Sequence, residues 1–258
     1  MKLLFAALMA ALVIPTFALD GLEQWASKIW IRPLPPERDS VAVVLTREGP
    51  GAFKKTMAKT TCMMRPDGSY TRDYSSPDET SHSDFLQNGS LASITSDNAS
   101  DKKIYIVTIS PDRRRASFRT EATGKEPAVK NLPLKPNNLV MSEYVNLIRQ
   151  AWKSGIRDGF AFKGLAPDGS MEIDMETRLV ETKTPWSLSD KYEVPAEFKA
   201  AFPDSQNYVV ADFNLGGIVS MIYKFHNYWI FKLAPSGLEY VGSFGGDPKK
   251  ATFMFMAR

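Results

Sequence analysis

The sequence holds one cysteine, Cys62, and two histidines, His82 and His226, in 258 residues. A single cysteine excludes an internal disulfide, so packing alone must hold the fold. So few imidazoles leave little for general-base or metal chemistry. An excess of one charge is also lacking: 32 Lys and Arg stand against 29 Asp and Glu. That balance gives no electrostatic case for nucleic acid or for an anionic membrane surface. No apolar run reaches the roughly 20 residues that a membrane-spanning helix needs. Gly245-Gly246-Asp247-Pro248-Lys249-Lys250 lacks the Lys-Ser/Thr ending and the helix of a phosphate loop. No cofactor is therefore implied.

The N-terminus carries an export pattern. Lys2 is followed by the apolar stretch Leu3 to Ile14, then by helix-breaking Pro15 and the small residues of Thr16-Phe17-Ala18. This predicts a cleavable signal peptide over residues 1–18 and a single β-rich domain over 19–258, periplasmic or secreted. An uncleaved anchor is the alternative, and the shortness of the run argues against it. No transmembrane segment is expected in the mature chain.

Turns organise the remainder. Pro66-Asp67-Gly68-Ser69 and Pro167-Asp168-Gly169-Ser170 repeat one unit, and Ser110-Pro111-Asp112-Arg113 and Pro235-Ser236-Gly237 are close variants. Pro presets φ, Asp or Ser bonds locally and Gly takes the left-handed position, so four antiparallel hairpins are expected. Met171 to Glu176 alternates apolar and acidic residues as a half-buried strand does. The C-terminal third predicts five strands: Tyr208–Phe213, Ile218–Phe225, Tyr228–Leu233, Leu238–Phe244 and Thr252–Met256. Helices are few. One begins near Leu22 and ends before Pro33. A second runs from Glu143 to Ser154, with Ser142 as N-cap and Gly155 as the stop. A third starts at Pro195 and ends before Pro203. Lys125 to Asn138 reads as a surface crossing, and Ser75–Ser83 and Ser96–Lys102 as loops. The expected fold is mainly β (α+β): an antiparallel meander forming a curved sheet, half-barrel or barrel, with two or three short helices.

Catalytic constellations are hard to assemble from these residues. Ser81-His82-Ser83-Asp84 contains the three triad residue types, but neighbours on an extended chain point to opposite sides. His226 reads as a turn residue, and Glu172, Asp174 and Glu176 as the wet face of a strand. Arg113 to Arg115 read as a solvated hairpin tip, and Cys62 as a buried, inert thiol.

The strands Ile218–Phe225 and Tyr228–Leu233 are apolar on both faces, where a solvent-facing strand would alternate. Two explanations stand: both faces are covered, or one lines an apolar groove. On the second, Met175, Met221, Tyr223, Phe225, Trp229 and Phe231 are the candidate ligand-binding residues, since methionine and aromatic side chains suit varied apolar ligands.

The signal peptide, two meanders around a central helix, and Met- and aromatic-rich strands resemble the LolA-like periplasmic lipoprotein-carrier half-barrels and related exported domains of unknown function. The resemblance covers residues 40 to 256 as a layout, with no individual residue carried over. It implies a curved sheet, covered by helices, that holds a lipid or acyl chain. The expected function is a non-enzymatic, exported binder of an apolar ligand such as a lipid. An envelope protein-interaction or assembly factor is the alternative, and a hydrolase comes third.

Overall fold

The computed structural model describes residues 29–30, 32–135, 137–215 and 226–257. The predicted signal peptide, the first predicted helix up to residue 28 and the predicted strand Ile218–Phe225 lie outside the described residues.

The first half is a long meander. Its strands are β1 (Ser40–Gly49), β2 (Ala52–Met64), β3 (Tyr70–Ser75), β4 (Glu79–Phe85), β5 (Leu91–Asn98), β6 (Lys103–Ile109), β7 (Arg115–Ala122) and β8 (Ala128–Pro133). A short β9 (Asn138–Val140) and a 3₁₀ turn (Met141–Glu143) lead into helix α1 (Tyr144–Lys153). Then come β10 (Gly159–Leu165), β11 (Glu172–Thr182), a 3₁₀ turn (Pro185–Leu188), helix α2 (Ala196–Ala201) and β12 (Tyr208–Leu215). The chain closes with β13 (His226–Ala234), β14 (Gly237–Gly245) and β15 (Thr252–Met256).

These strands form one sheet in the order β8-β7-β6-β5-β4-β3-β2-β1-β15-β14-β13-β12-β11-β10-β9. All ladders are antiparallel except β9 with β10. The first and last long strands meet at β1–β15, where Val43 faces Phe255, so the two meanders join into one curved surface. The sheet does not close. Its ends nevertheless approach: Lys130 of β8 donates to the Gly169 carbonyl in the β10–β11 turn, and Val140 and Leu165 share a core with Phe118 of β7.

The four predicted hairpins are present. Gly68 (φ +81°) and Gly169 (φ +63°) occupy the left-handed positions, and the Asp67 and Asp168 carboxylates each accept the N–H two residues on. The β6–β7 turn places Arg113 at φ +54° where its sister turns use glycine. Gly155 (φ +87°) ends α1, with its N–H donating to the Trp152 carbonyl. The helix predicted from Pro195 is found as α2.

Several local readings are corrected. Lys125–Asn138 contains β8, and most of Ser75–Ser83 belongs to β4, because both have cross-strand partners that a local pattern cannot reveal. Ser96 to Asn98 likewise belongs to β5. Ser142 does not cap α1. Glu143 takes that place, its Oε2 accepting the Val140 N–H at 3.1 Å. Met171 precedes β11 and is exposed.

Three cores divide the two faces of the sheet. On the concave side, α1 lays Val145, Leu147 and Ile148 against Phe162, Leu179, Val209, Ala211, Phe213 and Phe231. On the convex side, Phe198 and Phe202 of α2 pack on Val43, Leu45, Val210, Ile230, Phe244, Phe253 and Phe255. The third core fills the concave side of β3 to β7 around Tyr70, Phe85, Leu91, Val107 and Phe118. Along β12, Val209, Ala211 and Phe213 belong to the first core and Tyr208 and Val210 to the second. The described strands that are apolar on both faces are therefore covered on both.

A buried polar cluster fixes the start of α1. Glu143 is wholly buried and accepts hydrogen bonds from the Leu91 N–H (2.9 Å), the Val140 N–H (3.1 Å) and Arg113 Nη1 (2.6 Å) and Nη2 (3.2 Å). Further along the helix, Asn146 Nδ2 donates to the Tyr70 hydroxyl (2.6 Å) and the Gly89 carbonyl (2.9 Å). Gln150 Nε2 donates to the carbonyls of Arg32 and Asn88, each at 2.7 Å.

Two substitutions test this fold. Glu143→Gln strands part of the Arg113 fork inside the protein, and breaking a buried pair in this way costs about 3–5 kcal/mol. A urea midpoint that hardly moves in Glu143→Gln would refute the anchoring role. Gly169→Val forces a side chain onto a left-handed backbone, and its Cβ would meet Phe118 Cδ2 at 2.8 Å. A loss of about 1 kcal/mol or more in equilibrium unfolding is expected.

Candidate functional site

A groove of about 780 Å³ opens beside Arg149 of α1 and is lined by residues of both faces of the sheet, Val41, Glu239 and Val241 as well as Leu238 and Tyr240; its volume is within the roughly 300–1,000 Å³ range of small-molecule pockets. It lies at the edge where β1 and β14 begin and β2 and β15 end. The segment Pro35 to Ser40 forms one wall, and Leu238, Tyr240 and Met256 an apolar floor. Thr60 of β2 and Arg149 of α1 complete it from opposite sides.

Alternation along the strands decides what faces inward. Phe53 packs on the convex core and Lys55 pairs with Glu197 of α2, so Thr60 and Cys62, of the other parity, face the concave side. Leu238 and Tyr240 belong to the concave core, which leaves Glu239 on the opposite face, in register with Lys232.

The polar groups of this interior are mostly spent. Arg72 Nη1 donates to Glu37 Oε1 at 2.9 Å and Nη2 to the Ser142 carbonyl at 3.1 Å, and its guanidinium lies 4.9 Å from the Phe85 ring centroid. Asp39 accepts the Cys62 N–H at 2.7 Å. Tyr240 donates to Ser243 Oγ at 3.0 Å, and burial pushes its phenol well above the ordinary range. Burial likewise pushes the Cys62 thiol up to about 12, with Glu37 adding to the shift and Arg72 opposing it.

Of the residues named from sequence, Met175 and Phe231 are buried in the concave core. Trp229 packs against that core and lies 5.8 Å from Tyr240, ring centroid to ring centroid. None of these three lines the groove. Met221, Tyr223 and Phe225 lie outside the described residues.

The histidines occupy separate places. His82 is half-exposed on β4, with Nδ1 2.6 Å from Asp73 Oδ1 and Nε2 3.8 Å from Asp84 Oδ2. Ser83 is wholly buried on the other face. His226 opens β13 instead of forming a turn; its Nδ1 lies 3.0 Å from Asp212 Oδ1 and its ring stacks on Tyr228. Among the described residues no three His, Cys, Asp or Glu side chains converge as a metal would require. Glu172, Asp174 and Glu176 alternate outward along β11 as expected. Arg114 and Arg115 are exposed as expected. Arg113 instead turns inward to Glu143, a contact across 30 residues that the run of three arginines conceals.

No family model and no curated protein matches the sequence. Two solved structures are similar in layout. A β-barrel-like protein of the DUF1849 domain of unknown function from Brucella abortus shares 8% identity, with a TM-score of 0.46, over 86% of this chain and 97% of its own. A DUF1329 family protein from Desulfovibrio piger shares 9%, with a TM-score of 0.30, over 95% and 92%. The chain forms one curved, mainly antiparallel sheet that does not close. No helix among the described residues is long and apolar enough to cross a membrane.

The state of Cys62 is directly measurable. With burial holding its thiol well above the ordinary range, Cys62 carries little thiolate at pH 7. A thiolate-directed reagent should therefore label the native chain at least about 100-fold more slowly than the urea-unfolded chain. Equal rates would place Cys62 in open solvent.

Proposed function

We propose that this protein is an exported, non-enzymatic binder that holds a lipid-like amphiphile in the groove beneath α1. The half-open groove of about 780 Å³ carries the reading, because it offers apolar Leu238, Tyr240 and Met256 on one side and polar groups on the other. An acyl chain entering there removes apolar surface from water, at about 25 cal/mol for each Å² buried. The site expected from sequence moves accordingly, from β13 to the neighbouring β14 and β15. The lipoprotein-carrier resemblance agrees with this reading, and a periplasmic or secreted location is proposed with it, since such ligands need carriage through water.

A second reading, an envelope interaction factor, has its own observation. Met57 and Met63 on the convex side of β2 and Val41 of β1 are exposed apolar residues at 47%, 66% and 41%, the kind of surface that meets another protein.

Native mass spectrometry of the protein from its own envelope fraction should show a bound lipid as added mass. Thr60→Trp should fill the groove and abolish lipid uptake while leaving the denaturant midpoint nearly unchanged. A closed interior would instead lose about 1–3 kcal/mol to overpacking. Trp229, whose ring lies beside that of Tyr240, should report entry through its fluorescence. Stability lost in Thr60→Trp, with no lipid bound by the parent, would move the assignment to the interaction factor.

A further inference from the structure

We infer that the groove selects amphiphiles with an acidic headgroup, a carboxylate or phosphate held by Arg149; this rests on the reading above and names its ligand class. Arg149 is half-buried on the groove side of α1. Its Nε donates to the Leu238 carbonyl at 3.2 Å and its Nη1 to Asn146 Oδ1 at 3.2 Å, so the guanidinium plane is held from two sides. Nη2 makes no hydrogen bond among the described residues, and no carboxylate there forms an ion pair with Arg149. Arginine stays protonated at any physiological pH, and its fork matches the paired oxygens of carboxylate and phosphate.

The nearby charges do not neutralise it. Glu37 is committed to Arg72. Asp39, exposed on the groove wall, accepts the Cys62 N–H and keeps its charge, but forms no ion pair with Arg149 among the described residues. Glu239, in register with Lys232, also lines the groove but forms no ion pair with Arg149 among the described residues. Arg38, at the rim, adds positive charge and pairs with no carboxylate among the described residues. A half-buried cation held rigid beside an apolar floor gives up part of its hydration. An anionic head with its tail on Leu238, Tyr240 and Met256 satisfies both features at once.

Calorimetric titration of the full chain with dodecanoate, dodecyl phosphate, methyl dodecanoate and inorganic phosphate tests this. Both acidic amphiphiles should bind at least about tenfold more tightly than the methyl ester, and inorganic phosphate far more weakly than dodecyl phosphate. In Arg149→Gln the acid-to-ester ratio should fall towards one. Thermal unfolding establishes that this variant folds. If it does not, Arg149→Lys, which keeps the charge without the fork, should show a ratio reduced at least about threefold. Equal affinity for acid and ester, or a preference that survives both substitutions, overturns the headgroup assignment and leaves the groove reading standing. Inorganic phosphate binding as tightly as dodecyl phosphate reduces the site to a free-anion site and also overturns it. Failure of every amphiphile to bind removes both.

Discussion

The Glu143–Arg113 pair is the constraint on which the architecture depends. A sheet this long, coiled around its own concave side, leaves an interior that a single helix must fill in one orientation. Apolar packing alone orients a helix loosely, because many rotations bury similar area. Glu143 removes that freedom by taking four hydrogen bonds from three separate segments: the start of β5, β9 and the β6–β7 hairpin tip. The tip in turn holds Arg113 on a left-handed backbone, which costs a non-glycine residue roughly 1–2 kcal/mol. Four charge-assisted or buried bonds to one carboxylate are of the size needed to offset that strain.

With the first turn of α1 fixed, the rest of the helix acquires definite neighbours. Asn146 and Gln150 reach the β3 and β4–β5 side through Tyr70, Gly89 and Asn88. Arg149 reaches the β14 side through Leu238. The helix therefore bridges both meanders, and the space it leaves open beside β14, β15, β1 and β2 is the groove. The groove is not a packing defect at a random place. It lies where the helix's polar edge, and not its apolar face, meets the sheet.

Much of this was legible in the sequence, and the limits are physical. Pro-Asp-Gly-Ser marked hairpins correctly because such turns are local: the glycine dihedral and the Asp-to-N–H bond need no distant partner. Alternation in β11 was legible for the same reason. β8 was missed because Ala128–Pro133 is almost wholly exposed and owes its strand to pairing with β7. The apolar-on-both-faces pattern left a covered strand and a groove wall both open, and in β13 the covered arrangement is found, with Phe231 in the core beneath α1 and Tyr228 and Ile230 in the core beneath α2. The groove was the least legible element, since its lining comes from five segments spread from Pro35 to Ala257. Arg113 looked like a solvated member of a run because burial is a property of where the hairpin tip lands.

The groove's mixed lining also bears on the kind of ligand it suits. A purely apolar cavity of this size tends to collapse or to be filled by side chains, because each unfilled volume forfeits dispersion contacts. Here Tyr240 is tied to Ser243, Arg72 to Glu37 and Ser142, and Arg149 to Leu238 and Asn146. Each wall is braced by hydrogen bonds that do not require the space between them to be occupied. Such bracing lets a site stay open without a ligand and keeps the cost of ordering low when one enters. The same bonds that make the interior polar are thus what brace the groove, and they set the position of the Arg149 guanidinium beside it.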